Sequence, residues 1–182
     1  MQLGQQQEWV SRMNPRDSFR NFLERAEQDA WIASYKWFVA ETFGFLKIKM
    51  GKLPGENYSR SHKRGTDGLW YGVEVEAHEG TGIGVDLELL VSRPILDDPS
   101  WITTRLNMPR TSSPQKILEE WSAREAAFKS LAPNNQGVLV SHFRRSAPGT
   151  LALFSPQGES LIQTRTSVSQ KWVLSLAWRS SS

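Results

Sequence analysis

Two short stretches hold the residues best placed to do chemistry. The first is Gly82-Ile83-Gly84-Val85-Asp86-Leu87-Glu88-Leu89-Leu90. It alternates: Val85, Leu87 and Leu89 fall on one side, Asp86 and Glu88 on the other, as they would on a strand. Two carboxylates on one strand face stand about 7 Å apart at their Cα atoms. They repel unless water or a cation screens them. A hard cation with oxygen ligands meets that need, and Mg²⁺ commonly takes a few carboxylates together with substrate phosphates. A solvated strand face is the commoner fate of an Asp-x-Glu pair, so the stretch alone leaves both readings open. The second stretch is Pro114–Leu131, with Trp121-Ser122-Ala123-Arg124-Glu125-Ala126-Ala127-Phe128-Lys129 at its centre. Ser113 can cap a helix and Pro114 suits its first position. Ile117, Leu118, Trp121 and Phe128 recur at helical spacing, and Glu125 and Lys129, four apart, are surface neighbours. Taken alone, it reads as an ordinary amphipathic helix with an ion pair.

The rest of the chain must position these groups. Its 182 residues suggest one domain or two small, intimately packed halves. A hydrophobic fraction of 38% with eight Trp is enough for a real core. No apolar run reaches the length of a membrane span, and the first residues lack the basic-then-apolar layout of a signal peptide. There are no cysteines, which excludes disulfides and thiolate metal sites. A cytoplasmic, monomeric protein away from membranes is the expectation. A net charge of +3 fits an acidic protein partner or a phosphate-rich ligand and is too weak to argue for nucleic acid.

Residues 14–44 read as helical. Asn14-Pro15 starts the run and Asp17 complements the dipole. Phe19, Phe22, Leu23 and Ala26 form one stripe, and Trp31, Tyr35, Phe38 and Thr42 another, with Gln28-Asp29 as the expected break and Gly44 as a C-cap. Residues 45–68 read mostly as loop. Leu69–Ala77 reads as a strand, His78–Gly82 as a turn, and 83–90 as the strand that returns. Gly80-Thr81-Gly82-Ile83-Gly84 superficially suggests a dinucleotide loop, which the strand that follows it rules out. Residues 91–113 read as loop with a short helix near Trp101. After a turn at 132–137, strands are expected over Val138–Phe143, Leu151–Phe154, Ser160–Thr166 and Trp172–Trp178. His78 and His142 are expected to be surface or structural groups.

Together, Gly84-Val85-Asp86 and, a few tens of residues later, Trp121-Ser122-Ala123-Arg124-Glu125-Ala126-Ala127-Phe128-Lys129 resemble the 4′-phosphopantetheinyl transferase superfamily. That family's pattern is a Gly-Ile/Val-Asp strand, then Trp/Phe-Ser-x-Lys-Glu-x-x-x-Lys on a helix. Asp86-Leu87-Glu88 looks like its larger, single-chain branch. Gly51-Lys52, with Pro54 displaced, and Asn57-Tyr58-Ser59-Arg60-Ser61-His62 are similar to the family's Gly-Lys-Pro and Asn-x-Ser-His elements. The resemblance implies an α+β fold of two similar halves packed about a pseudo-twofold axis. The N-terminal half would run over about 14–90 and the C-terminal half over about 91–180 of one unit spanning residues 1–182.

The resemblance further implies Mg²⁺-dependent transfer of the 4′-phosphopantetheine arm of coenzyme A to a serine of an apo acyl or peptidyl carrier protein, with release of 3′,5′-ADP. Such carriers serve fatty acid, polyketide or nonribosomal peptide synthesis. Asp86, Glu88 and Glu125 would be the metal ligands, and Glu125 and Lys129 the catalytic pair. Glu125 would take the serine proton and Lys129 would steady phosphate charge. His62, Lys52, Lys63, Lys36, Arg124 and Lys129 would hold CoA, since a phosphate is best met by several charge-assisted donors. Arg124 stands where the family has Lys; it can clamp phosphate but stays protonated and cannot be a base. The alternative is a non-catalytic member of the same fold that binds CoA or a carrier protein.

Overall fold

The computed structural model of the protein describes residues 14–50, 57–91, 98–131, 139–155 and 158–180. Over these the chain is a mixed α+β structure with two antiparallel sheets. Asn14 caps the first helical turn, α1 (Pro15–Ser18), by accepting from the Arg16 amide at 2.9 Å. Helix α2 (Arg20–Gln28) follows and stops at the expected Gln28-Asp29 break. Phe19, Leu23 and Ala26 of the expected stripe are fully buried.

The second expected stripe is overturned. Residues Ser34–Ala40 form strand β1, not helix. Tyr35, Trp37 and Val39 alternate into the main core, and aromatic and β-branched side chains favour a pleated, half-buried surface. The expected loop over 45–68 is also corrected. It contains helix α3 (Phe43–Met50) and strand β2 (Tyr58–Arg64). Helix α3 is seated by Leu46 and Met50, which press on Gly72; a Cβ there would meet Met50 Sδ at 2.8 Å.

Strand β3 (Trp70–Glu76) lies between β1 and β2 in the first sheet. Its register aligns Trp37 with Val73 and Ser61, and Phe38 with Gly72 and His62. One face of this sheet therefore carries Tyr35, Trp37, Val39, Tyr71, Val73 and Val75 toward the core. The other carries Lys36, Phe38, Glu74, Arg60 and His62 outward, with α3 over part of it.

Strand β4 (Thr81–Leu89) does not pair with β3. It forms the edge of the second sheet, whose order is β4-β8-β7-β6-β5. The remaining strands are β5 (Phe143–Ala147), β6 (Thr150–Ser155), β7 (Gly158–Ser169) and β8 (Trp172–Ser180). The strand expected at Val138–Phe143 is a 3₁₀ turn over Val140–His142, because the Leu139 amide donates to His142 Nδ1 at 3.1 Å and the chain closes on itself; Val138 lies outside the described residues.

Asp86 aligns with Ser175 and Leu87 with Leu174, so the middle of the chain is stitched to its end. Ile83, Val85 and Leu87, with Leu174 and Leu176, complete the main core. The opposite face of this sheet is covered by α5 (Pro114–Lys129), capped by Ser113 as expected. Between β4 and α5 in the chain lie a helical turn α4 (Pro99–Trp101) and a π-helical turn (Ile102–Leu106), the short helix expected near Trp101. Among the described residues no helix is long and apolar enough to cross a membrane.

Candidate functional site

Glycine brings α5 onto β4. A Cβ on Gly84 would lie 1.8 Å from the Ala126 carbonyl oxygen, and one on Gly82 2.5 Å from that of Ser130. Neither glycine is there for a left-handed backbone; both are there because helix backbone touches strand backbone. The Gly-x-Gly-x-Asp spacing thus has a mechanical meaning. Two glycines let the last turns of the helix settle on the strand, and Asp86, next on the same face, meets the helix residues Ser122, Glu125 and Lys129. Ser122 Oγ donates to the Asp86 carbonyl at 3.4 Å.

The free edge of β4 is held by side chains. Its Val85 amide donates to Ser59 Oγ and its Leu87 amide to Ser61 Oγ, both at 3.0 Å. These hydroxyls of β2 stand in for a neighbouring strand, satisfying amides that would otherwise be buried and unpaired. The two sheets are joined at this seam, and the candidate site lies along it.

Asp86 is only 4% exposed and Glu88 5%, so neither sits on a solvated strand face. Lys129 Nζ lies 2.7 Å from Asp86 Oδ1 and also donates to the Val85 carbonyl at 3.2 Å and to Ser61 Oγ at 3.3 Å. Ser61 in turn donates to Asp86 Oδ1 at 3.2 Å. Asp86 Oδ2 is buried with no hydrogen-bond partner. Lys63 Nζ lies 2.6 Å from Glu88 Oε2. The Glu125 carboxyl is held above the usual carboxylate range, first by burial and then by the Asp86 charge, with Glu88 adding to it and Lys129 and Lys63 opposing. Three carboxylates and two ammonium groups from three separate elements therefore share one partly buried seam. Among the described residues no three acidic or histidine side chains are already spaced to hold one metal ion.

His62 lies on the outer face of β2, one residue from Ser61 and on the opposite side of the strand. Its ring packs 4.7 Å from Phe43 and 6.0 Å from Trp70, centroid to centroid. Desolvation lowers its pKa, and Lys129, Arg60, Lys63 and Lys47 push the same way. The imidazole thus sits in a positive field that an anion would relieve. Lys36 is on the same outer face, across β3 and beside Glu74, and not with the carboxylates. Lys52 lies outside the described residues.

Arg124 is not brought to this cluster. It is 2% exposed and points to the other side of α5. Its guanidinium donates to Glu120 Oε1 at 2.8 Å, to the Leu106 carbonyl at 2.7 Å and to the Arg105 carbonyl at 3.2 Å. Arg145 clamps the other Glu120 oxygen at 2.6 Å. Arg124 therefore ties α5 to the end of the π-helical turn. The role of Ser59 and Ser61 as edge caps was missed by sequence reasoning, which took the segment as loop. Its signal was the alternation Ser59, Ser61, Lys63 on one side and Tyr58, Arg60, His62 on the other.

Set beside known proteins, the chain matches no family model and no curated protein.

Proposed function

We propose that this chain transfers the 4′-phosphopantetheine arm of coenzyme A to a serine of an apo acyl or peptidyl carrier protein, releasing 3′,5′-ADP. The observation that carries the reading is the convergence of Asp86, Glu88, Glu125 and Lys129, from distant parts of the sequence, on one buried seam. The reading includes two similar α+β halves about a pseudo-twofold axis, divided near residue 90, and a cytoplasmic setting.

The chemistry of the donor set suits a divalent cation, and the acidic side chains would have to draw together around one. The donor set is all oxygen, Asp86 Oδ2 is buried without a partner, and the Glu125 carboxyl feels two other carboxylates. Asp86, Glu88 and Glu125 would hold Mg²⁺, which when bound neutralises charge on the CoA pyrophosphate. The serine hydroxyl oxygen forms a bond to the phosphorus next to pantetheine. The bond from that phosphorus to the oxygen of the departing 3′,5′-ADP breaks. Glu125 takes the serine proton. Lys129 turns from Asp86 toward phosphate oxygens. His62 gains its proton when the 3′-phosphate arrives, with Lys52, Lys63 and Lys36 supplying positive charge around the nucleotide end. Arg124 contributes by bracing α5, not by gripping phosphate.

A second reading is a non-catalytic CoA- or carrier-binding member of this fold. The lysines already seated on Asp86 and Glu88 favour it, because they supply the countercharge that a cation would. Incubation with CoA, Mg²⁺ and several apo-carriers, read by intact mass, separates the two. The transferase reading expects a carrier mass gain of one phosphopantetheine, and a rate loss of about 100-fold or more for Glu125→Gln. CoA binding with no mass gain on any carrier would favour the second reading.

A further inference from the structure

The outer face of the first sheet holds a cavity of about 330 Å³, a volume suited to a small molecule. It lies at the opposite end of α3 from His62. Lys49 and Met50, in the last turn of that helix, line the cavity, whereas Phe43 at its start packs on the imidazole. Phe38 adds apolar surface beside Met50, and Lys36, Glu74 and Glu76 come up from the sheet. The cavity also stands apart from the carboxylate seam, because Lys36 and Glu74 share the face of Arg60 and His62, not that of Ser59, Ser61 and Lys63.

Glu74 is the unusual group. It is 8% exposed, and its Oε1 is buried with no hydrogen-bond partner. Two cations stand directly across from it, Lys36 on β1 and Arg60 on β2. Opposite charges so placed on neighbouring strands ordinarily pair, yet neither bonds that oxygen. Tyr58, beside the carboxylate, supplies no countercharge: burial first and Glu74 second hold its phenol above its ordinary pKa, so it stays neutral. Lys49 is spent elsewhere, since its Nζ donates to the Val39 carbonyl at 2.9 Å. Glu76 accepts from Ser34 Oγ at 3.4 Å. Among the described residues the lining thus carries two carboxylates and two ammonium groups, with one buried acceptor left open. Such an acceptor is costly until a donor reaches it. We infer that this cavity binds a small zwitterion of the free α-amino acid type: its ammonium donates to Glu74 Oε1, its carboxylate meets the Lys36 ammonium, and an apolar side chain lies against Phe38 and Met50. A lone amine would bring a positive charge up to Lys36 unanswered, and a lone acid would face Glu74; a ligand with both signs suits both strands.

The test is calorimetric titration of the full chain, followed in parallel by amide NMR shifts, with L-norleucine, pentylamine and hexanoate. The three share an apolar tail and carry, in turn, both charges, the positive one and the negative one. The proteins are wild type, Glu74→Gln and Lys36→Met. Glu74→Gln keeps the shape of the side chain and removes its charge. Lys36 is exposed, so Lys36→Met keeps the test decisive should the buried variant not fold. Norleucine is expected to bind wild type about tenfold or more tightly than either analogue, the factor that one charge-assisted hydrogen bond contributes. Each variant is expected to lose about that factor for norleucine. Glu74→Gln should leave hexanoate no weaker and Lys36→Met should leave pentylamine no weaker, a pattern that a general loosening of the fold would not give. Absence of both heat and shifts with norleucine in wild type overturns the inference. Pentylamine or hexanoate binding as tightly as norleucine overturns the zwitterion. Norleucine affinity unchanged in the variants puts the ligand elsewhere and overturns the site. None of these outcomes alters the transferase reading, which is carried by the carboxylate seam and tested on carrier proteins.

Discussion

Gly84→Ala is the sharpest perturbation of the seam. The added Cβ would lie 1.8 Å from Ala126 O, 2.8 Å from the Ala126 carbonyl carbon and 2.8 Å from the Ser130 amide nitrogen. Ordinary contact begins at 3.4 Å, so helix and strand must part by roughly 1.6 Å. All three atoms are backbone, and no side-chain rotation relieves the clash. Overpacking of a tight core costs about 1–3 kcal/mol and sometimes more. Here the displaced face of α5 also carries Ala123, Ala126 and Ala127, each at most 1% exposed, which would lose contact together. A loss of about 3 kcal/mol or more is expected. The same parting would stretch the Lys129–Asp86 pair, now 2.7 Å, beyond ion-pair distance. The assay is urea unfolding followed by fluorescence of the tryptophans, with Gly80→Ala as control. Gly80 has φ +77° but nothing within 4 Å of an added Cβ, so its substitution should cost only the backbone strain of about 1–2 kcal/mol. If Gly84→Ala proves no more destabilising than Gly80→Ala, the direct seating of helix backbone on strand backbone is wrong.

Other outcomes follow from the same geometry. Arg124→Lys cannot make the three hydrogen bonds of the guanidinium and should lower stability by about 2 kcal/mol while CoA affinity stays at the wild-type value; reduced CoA binding in an equally stable variant would return Arg124 to the ligand site. Because the folded-state pKa of Glu125 is raised above 4.5, its contribution to stability is complete below that pH and lost as pH rises through the folded value, since the unfolded chain releases the proton first; Glu125→Gln should flatten this part of the urea-stability profile, and an unchanged slope would refute the burial argument. His62 has the opposite sign: its pKa is lowered from 6.5, so stability should fall as pH drops below 6.5 through the folded value, and the slope should vanish in His62→Gln. Calorimetry of CoA binding at pH 6 in buffers of different ionisation enthalpy should register proton uptake in wild type and less in His62→Gln.

Much of this arrangement was legible in the sequence. The α5 helix announced itself through Ser113, Pro114 and a helical apolar spacing, and its cap is where those residues put it. Strand β4 was evident from strict alternation, whereas the close approach of helix backbone that its glycines permit appears only in the structure. Local pattern failed where two periods coincide. Trp31, Tyr35, Phe38 and Thr42 have helical spacing, yet Tyr35, Trp37 and Val39 also alternate, and the strand prevailed because β3 stands beside it to pair with. Tyr58–Arg64 read as loop because a strand with Ser59 and Ser61 facing inward lacks the apolar alternation that signals one. Those serines face inward only because the unpaired edge of β4 needs acceptors there. Residue types and their chain order therefore determined which carboxylates and lysines were available, because ionisable groups and their spacing are properties of the chain itself. Their pairing was a tertiary matter. Arg124 and Glu125 are adjacent in sequence yet face different neighbours, since a helix turns about 100° per residue. Lys63 meets Glu88 only because a serine ladder aligns two strands of different sheets, and distance across that seam is set by the packing of both cores.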